Sequence, residues 1–584
     1  MSKRNSVSRF SAVPANVDIQ RSKFDRSSSL KTSLNAGKLV PFYVDEVLPG
    51  DTFDMKTSYV ARMSTPLTPV MDTAFLDMYY FFVPMRLLWD HWKAFNGESE
   101  SAWYDPDVEY TIPAWDRMRE VSYSIDPEPG SVADYMGIPV GNGVDTMNYS
   151  FNILPFRAYQ LIWNNWFRDQ NLQDEVLVNK DDVVSADEWR RFAQKNYILP
   201  INKKHDYFTS CLPSPQKGNS VNIDLGGVVP VYSLNRVYDI PESWYDRNGN
   251  YFASDTIRFG TSAVGFSPEE NDFLSFRDVL GKISYDRNYK DGQEPILDTY
   301  AAVDEQTVSS DGGSNADRSM NPVNLYADLR QAACTVNDLR KAFAIQRLFE
   351  RDARSGTRYR EFLKAHFGVT IPDNTVQIPE YLGGECVPLT TNQVVMTANA
   401  ANKPLGTTGA FSKTVGQNGS FVKSFTEHGY LIGVMGIRTK HTYQQGINKL
   451  WSRKSRFDFY LPVLANLGEL PVYTKEIYAS DDVSVDNVFG YQEAWAEYRY
   501  KPSLCTGEMR SGVSNTLDIW HYADNYSERP YLSDEWIRET PLNIDRTLAV
   551  SADVAHQVYI DFYFDLQCVR PMPLYSIPGL IDHH

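Results

Sequence analysis

Residues 558–566, Val-Tyr-Ile-Asp-Phe-Tyr-Phe-Asp-Leu, alternate without interruption, so that Val558, Ile560, Phe562, Phe564 and Leu566 fall on one face of an extended strand. The next β-rich material lies at the other end of the chain. Leu39–Leu48 reads as a strand stopped by the turn Pro49-Gly50-Asp51, and Thr52–Met63 reads as a second. Ala74–Val83, dense in aromatic residues, is a third, ended by Pro84. If these belong to one sandwich, everything between Pro84 and Gln557 includes large insertions on its loops. No regular strand–helix alternation runs through that interval, so the expectation is a mainly β fold of the jelly-roll kind rather than an α/β fold.

Helices are few in this reading. Leu154–Asp169 opens with Pro155, a favoured first-turn residue, and places Leu154, Ala158, Leu161, Ile162 and Trp166 at helical spacing. Thr335–Ala353 begins with the capping-box pattern Thr335-x-x-Asp338 and carries Val336, Leu339, Phe343 and Phe349 along one side. Arg358–Phe367 ends at Gly368. Residues 219–324 differ from both neighbours. They hold 17 acidic and 8 basic residues among many Gly, Ser, Asn and Asp, the composition of a long surface excursion or of a small independent domain.

Charge is distributed unevenly. The chain carries −17 overall, yet residues 1–38 hold Lys3, Arg4, Arg9, Arg21, Lys23, Arg26, Lys31 and Lys38 against only Asp18 and Asp25. A basic, Ser-rich arm on an acidic body (1–38 against 39–584) is either a solvated tail or a contact for polyanions. No apolar segment follows the first basic residues as in a secretory signal, and no apolar run is long enough to span a bilayer, so no membrane insertion is expected. Five scattered cysteines, an odd number, suggest reduced thiols rather than a disulfide framework.

The sequence carries few signs of chemistry. Phosphate-binding glycine loops, nucleophile elbows, Cys-x-x-Cys and His-Glu-x-x-His patterns are all lacking. His583 and His584 are adjacent but have no nearby partners to complete a metal site. The expectation is no catalytic residue, no metal and no cofactor. Acidity combined with 36 Tyr, 30 Phe and 12 Trp also suits a β-sandwich glycoside hydrolase, which is the rival reading. The segment containing Lys449, Trp451, Arg453, Lys454 and Arg456 interleaves cations with aromatic residues, a mixture that fits single-stranded nucleic acid, a subunit interface or a solvated loop. Glu350–Arg354, with Arg358 and Arg360, mixes both signs and suggests ion pairing.

Several stretches together resemble one family, the major capsid proteins of gokushoviruses within the Microviridae. They are 154–172 (Leu-Pro-Phe-Arg-Ala-Tyr through Asp-Gln-Asn-Leu), 206–218, 339–368, 379–384, 442–446, 451–453, 488–502, 561–573 and 578–582. The stretch that departs from the pattern is 219–324. The resemblance implies an eight-stranded antiparallel jelly roll with long insertions and sixty copies in a T=1 icosahedral shell around circular single-stranded DNA. It also implies a variable protrusion (219–324) that could meet a host receptor, and scaffold and pilot proteins as partners. Such a protein would be assembled in the host bacterial cytoplasm and reside in the virion. On this reading Lys3, Arg4, Arg9, Arg21, Lys23 and Arg26 would face inward and touch DNA phosphates. Because the chain is acidic, small basic proteins or cations would be packaged with the genome.

Overall fold

The computed structural model describes residues 20–98, 110–115, 125–141, 149–221, 336–397, 404–480 and 487–576, with short strands between 231 and 327. It divides into two compact units, residues 1–218 with 349–584, and residues 219–348.

The larger unit is built on eight strands among the described residues: β1 (Ser28–Leu34), β2 (Val40–Val47), β3 (Thr52–Met63), β4 (Ala74–Pro84), β5 (Glu380–Pro388), β6 (Thr414–Ser424), β7 (Gly429–Thr439) and β8 (Val558–Arg570). One sheet has the order β1-β8-β3-β6 and the other β5-β4-β7-β2. Every pairing is antiparallel: β1 with β8, β2 with β7, β3 with β6 and β4 with β5. First with last, second with second-last and so inward is the wiring of one long hairpin rolled on itself, which is the jelly roll. The insertion expected from the widely separated β segments therefore falls between β4 and β5, and a second one between β7 and β8.

The two sheets bury a shared apolar layer. Val558, Ile560, Phe562, Phe564, Leu566 and Cys568 of β8 all point into it, as the alternation requires. Phe42 of β2 stacks on Phe562 across the layer at 4.9 Å, and Tyr80 of β4 meets Thr57 of β3 through a 2.6 Å hydroxyl–hydroxyl hydrogen bond. The turn between β2 and β3 requires a left-handed residue and has one in Gly50 (φ +90°). Buried Asp51 accepts a hydrogen bond there from the Leu48 amide and pairs with Arg570 of β8.

The β5-β4-β7-β2 sheet is covered on its other face as well. Phe81, Val83, Tyr430, Ile432 and Val434 pack against a second cluster built by the β4–β5 insertion. In it are helices α1 (Leu154–Ile162) and α2 (Ala186–Ala193). The expected helix 154–169 is α-helical only to Ile162; Trp163–Phe167 continue as a π-type turn. Arg157 on α1 is completely buried and donates from Nε to Glu188 of α2 at 2.8 Å. Sequence periodicity could not flag this cation, because it sits on a face otherwise composed of Leu154, Ala158 and Ile162.

Strand Ser22–Asp25 pairs with Gln567–Arg570 of β8, and β1 follows it. Residues 22–34, assigned from composition to the basic arm, are thus part of the sandwich. Leu30 packs against the shared layer and Leu34 lies within it, which is why a Ser- and Lys-rich stretch is held in a sheet. The arm proper is what precedes Ser22.

Helix α3 (Val336–Ser355) is followed by α4 (Tyr359–Phe367), which ends at left-handed Gly368 as expected. The apolar side anticipated on the first helix is exposed at Val336, Leu339 and Phe343. The mixed-charge run does form ion pairs: Arg354 with Glu469, Arg358 with Glu361, Arg360 with Asp373 and Asp352 with His366. The smaller unit contains short antiparallel strand pairs: Val231–Ser233 with Leu325–Ala327, Ile257–Arg258 with Phe273–Leu274, and Phe276–Arg277 with Asn321–Pro322.

Candidate subunit-contact surface

In the β7–β8 insertion, residues 448–464 form three consecutive short turns. Asn448 caps the first by accepting from the Leu450 amide. Asp458 closes the second by accepting from the Lys454 and Ser455 amides, both at 2.7 Å, and these bonds lower its pKa. Pro462 opens the third. Trp495, itself left-handed (φ 65°), ties the segment down by donating from its indole to the Leu464 carbonyl at 2.8 Å.

This local wiring turns large apolar groups outward. Trp451 is 78% exposed, Phe457 73% and Val463 92%, and Phe459, Tyr460 and Tyr498 are about half exposed. Isolated exposed apolar residues are ordinary, but a contiguous group of rings marks a surface that meets a partner.

Two of the cations in the segment share one carboxylate. Lys449 and Arg453 both pair with Glu497, at 3.9 and 3.3 Å. The Arg453 guanidinium also lies 4.3 Å from the Tyr498 ring centroid and 5.4 Å from that of Phe459. Lys454 and Arg456 are exposed. The structure thus brings Lys449 and Arg453 together as internal supports and leaves Trp451 on the surface. Phe459, Tyr460, Val463 and Tyr498 complete this surface and were missed by the sequence reading; the one available signal was the apolar density of 457–464 in a stretch without strand alternation.

The arm residues are placed more unevenly. Lys3, Arg4 and Arg9 lie outside the described residues. Arg21 lies against the Gly50 turn, and Lys23 is exposed on the short strand beside β8. Arg26 is no free cation. It binds Asp45 of β2 through both terminal nitrogens at 2.5 and 2.8 Å, a fork-to-carboxylate pairing that pins the first strands to the sandwich.

The pair Cys505 and His521, which could suggest catalysis, is closed off. Cys505 Sγ lies 3.6 Å from His521 Nε2, but that nitrogen also lies 2.6 Å from the Met509 carbonyl, while Nδ1 accepts from the Ala523 amide. The proton therefore sits on Nε2, which leaves no base for the thiol, and burial pushes the Cys505 pKa up. The four described cysteines, Cys211, Cys386, Cys505 and Cys568, are free thiols.

The phage capsid protein (F protein) family model matches residues 11–580. The chain belongs to that family. It is similar to the capsid protein VP1 of Chlamydia phage 1 (38% identical, over 98% of this chain and 97% of the relative). It is equally similar to the capsid proteins VP1 of Bdellovibrio phage phiMH2K (37%; 99% and 98%) and Spiroplasma virus 4 (39%; 99% and 99%). It is thus a structural capsid protein of the virion of a small bacteriophage of the Microviridae. Among the described residues of this capsid protein, no helix is long and apolar enough to cross a membrane.

Proposed function

We propose that this capsid protein closes into a T=1 shell of sixty copies around circular single-stranded DNA, without enzymatic activity of its own, and that residues 219–324, within the smaller unit, provide the host-contacting protrusion. One observation carries the assembly reading: the exposed rings of Trp451, Phe457, Phe459 and Tyr460 within one ten-residue segment, in which Lys449 and Arg453 are held by Glu497. A cluster of that kind gains free energy by being covered, at about 25 cal/mol per Å² of apolar area before association costs. A second copy is the partner that capsid assembly provides. That pairing withdraws Lys449 and Arg453 from phosphate binding and leaves Lys454 and Arg456 as the exposed cations of the segment.

The experiment is sedimentation of the expressed protein, with and without Trp451→Ser, Phe457→Ser and Val463→Ser together. Closed shells from the parent chain and folded, unassembled protein from the variant are expected. Normal shells from the triple variant would remove this surface from assembly. Cleavage of glycosidic bonds by a monomer would favour the rival hydrolase. Packaged basic protein or cations, expected because the body of the chain is acidic, would be read from particle composition.

A further inference from the structure

We infer that the open face of the β1-β8-β3-β6 sheet is a stacking platform for single-stranded nucleic acid, with Tyr559 and Tyr563 as its rings. The inference rests on the capsid reading and assigns residues to the genome contact that the reading leaves unlocated.

The two sheets of the sandwich differ in what covers them. The β5-β4-β7-β2 sheet is buried on both faces. The outward residues of β8 and β3 are not: Tyr559 is 43% exposed and Tyr563 52%, and Lys56 and Arg62 are exposed. On this face Tyr563 stands between Ser29 of β1 and Ser58 of β3, and Tyr559 between Ser33 and Arg62. The cross-strand neighbours of Tyr563 are both small serines. Four residues apart on one strand, the two tyrosines are spaced by about 13 Å, far enough for each to take a base separately.

Charge and the path of the chain point to the occupant. The residues before Ser22 hold four cations (Lys3, Arg4, Arg9, Arg21) against Asp18, and they join this sheet at the C-terminal end of β8. The basic segment therefore begins beside the open face. Within the face, Lys31, Lys56 and Arg62 are matched by Asp54, Asp561 and Asp565, and Lys31 lies 3.6 Å from Asp561. A face with no net charge cannot hold a polyanion by phosphate neutralisation. It can hold unpaired bases by stacking, which tolerates any sequence, while the adjoining arm meets phosphates. Duplex DNA, with its bases already stacked, would find nothing here.

The test is ultraviolet cross-linking of intact DNA-filled particles, followed by nuclease digestion and peptide mass spectrometry. Nucleotide adducts on the peptide carrying Tyr559 and Tyr563 are expected. They should persist when permeabilised particles are washed in high salt, whereas adducts on residues 1–21 should fall several-fold. Tyr559→Phe with Tyr563→Phe should keep the stabilisation of packaged DNA against thermal release, and Tyr559→Ser with Tyr563→Ser should lower the release temperature. Adducts confined to other peptides, or protein–protein cross-links at these tyrosines, would overturn the platform while leaving shell formation intact. Failure of the parent chain to form DNA-containing shells would instead sink the capsid-function reading itself.

Discussion

His441 Nδ1 lies 3.0 Å from both carboxylate oxygens of Asp524, and neither residue is more than 5% exposed at its side chain. The other ring nitrogen faces Glu539 at 3.1 Å. Lys203 stands 3.6 Å from Asp524 on another side. Glu539 also accepts from the Thr439 amide at the end of β7, so the cluster fastens the β7–β8 insertion to the sandwich.

Burial alone would strip the proton from His441, but attraction to Asp524 and Glu539 prevails and lifts its pKa to about 10. A pKa raised on folding contributes stability that is complete below the unfolded value of about 6.5 and is lost as pH rises through the folded one. For Asp524, burial opposes ionisation but Lys203 and His441 outweigh it, and its pKa is lowered. That contribution is present above the unfolded carboxylate value and lost as pH falls toward the folded one. The unassembled protein should therefore melt at progressively lower temperature above about pH 7 and again in acid. His441→Gln should remove most of the alkaline slope and cost about 3–5 kcal/mol near pH 6, because it leaves two buried carboxylates short of a cation.

Arg157 and Glu188 make a second, independent test of buried charge. Arg157 is wholly enclosed and also reaches the carbonyl of Asp181 at 3.0 Å. Arg157→Met alone should cost about 3–5 kcal/mol by stranding Glu188, and Arg157→Met with Glu188→Leu should recover much of that loss. Urea unfolding of the two single variants and the double variant measures the coupling; equal and additive losses would show that the pair does not act as a unit.

These clusters explain where sequence reading stops. The strands at 52–63 and 558–566 were legible because one face is apolar and the other wet. Gly429–Thr439, at the centre of the other sheet, was not, because it is buried on both faces and shows no alternation. Glu380–Pro388, which pairs with β4 at the edge of the same sheet, contains Gly383 and Gly384 and lacks strand alternation, although the chain there is extended and only locally bulged beside Tyr381. The first strands were mistaken for arm because Ser28–Leu34 contributes only Leu30 and Leu34 to the core. The exposed ring surface was half legible: Trp451 stood out, but the role of Arg453 depends on Glu497, which lies 44 residues further on.

Trp451 and Arg453, two residues apart, should behave oppositely. Trp451→Ala removes an exposed ring, so unfolding of the free protein should change by less than about 0.5 kcal/mol while assembly weakens. Arg453→Ala leaves Glu497 with only the longer Lys449 contact and should cost about 1.5–3 kcal/mol of folding free energy. Chemical denaturation and sedimentation, run on both variants, separate the two effects; a destabilised Trp451→Ala monomer would mean that the ring supports the fold.

The smaller unit can be removed without stretching the larger one. Lys217 donates its backbone N–H to the carbonyl of Phe349 at 3.3 Å, so the two ends left by excising residues 219–348 already touch. A linker of a few Gly and Ser residues therefore spans the gap, and closing a short loop carries little entropic cost. The excised chain should keep the sandwich and its cooperative melt, since all eight strands lie outside the deleted residues. Its particles, if the host-contact proposal holds, should form but fail to adsorb to the host cell. Particles that adsorb normally would eliminate the attachment role. A chain that folds but no longer closes into shells would show instead that the unit serves contacts between copies.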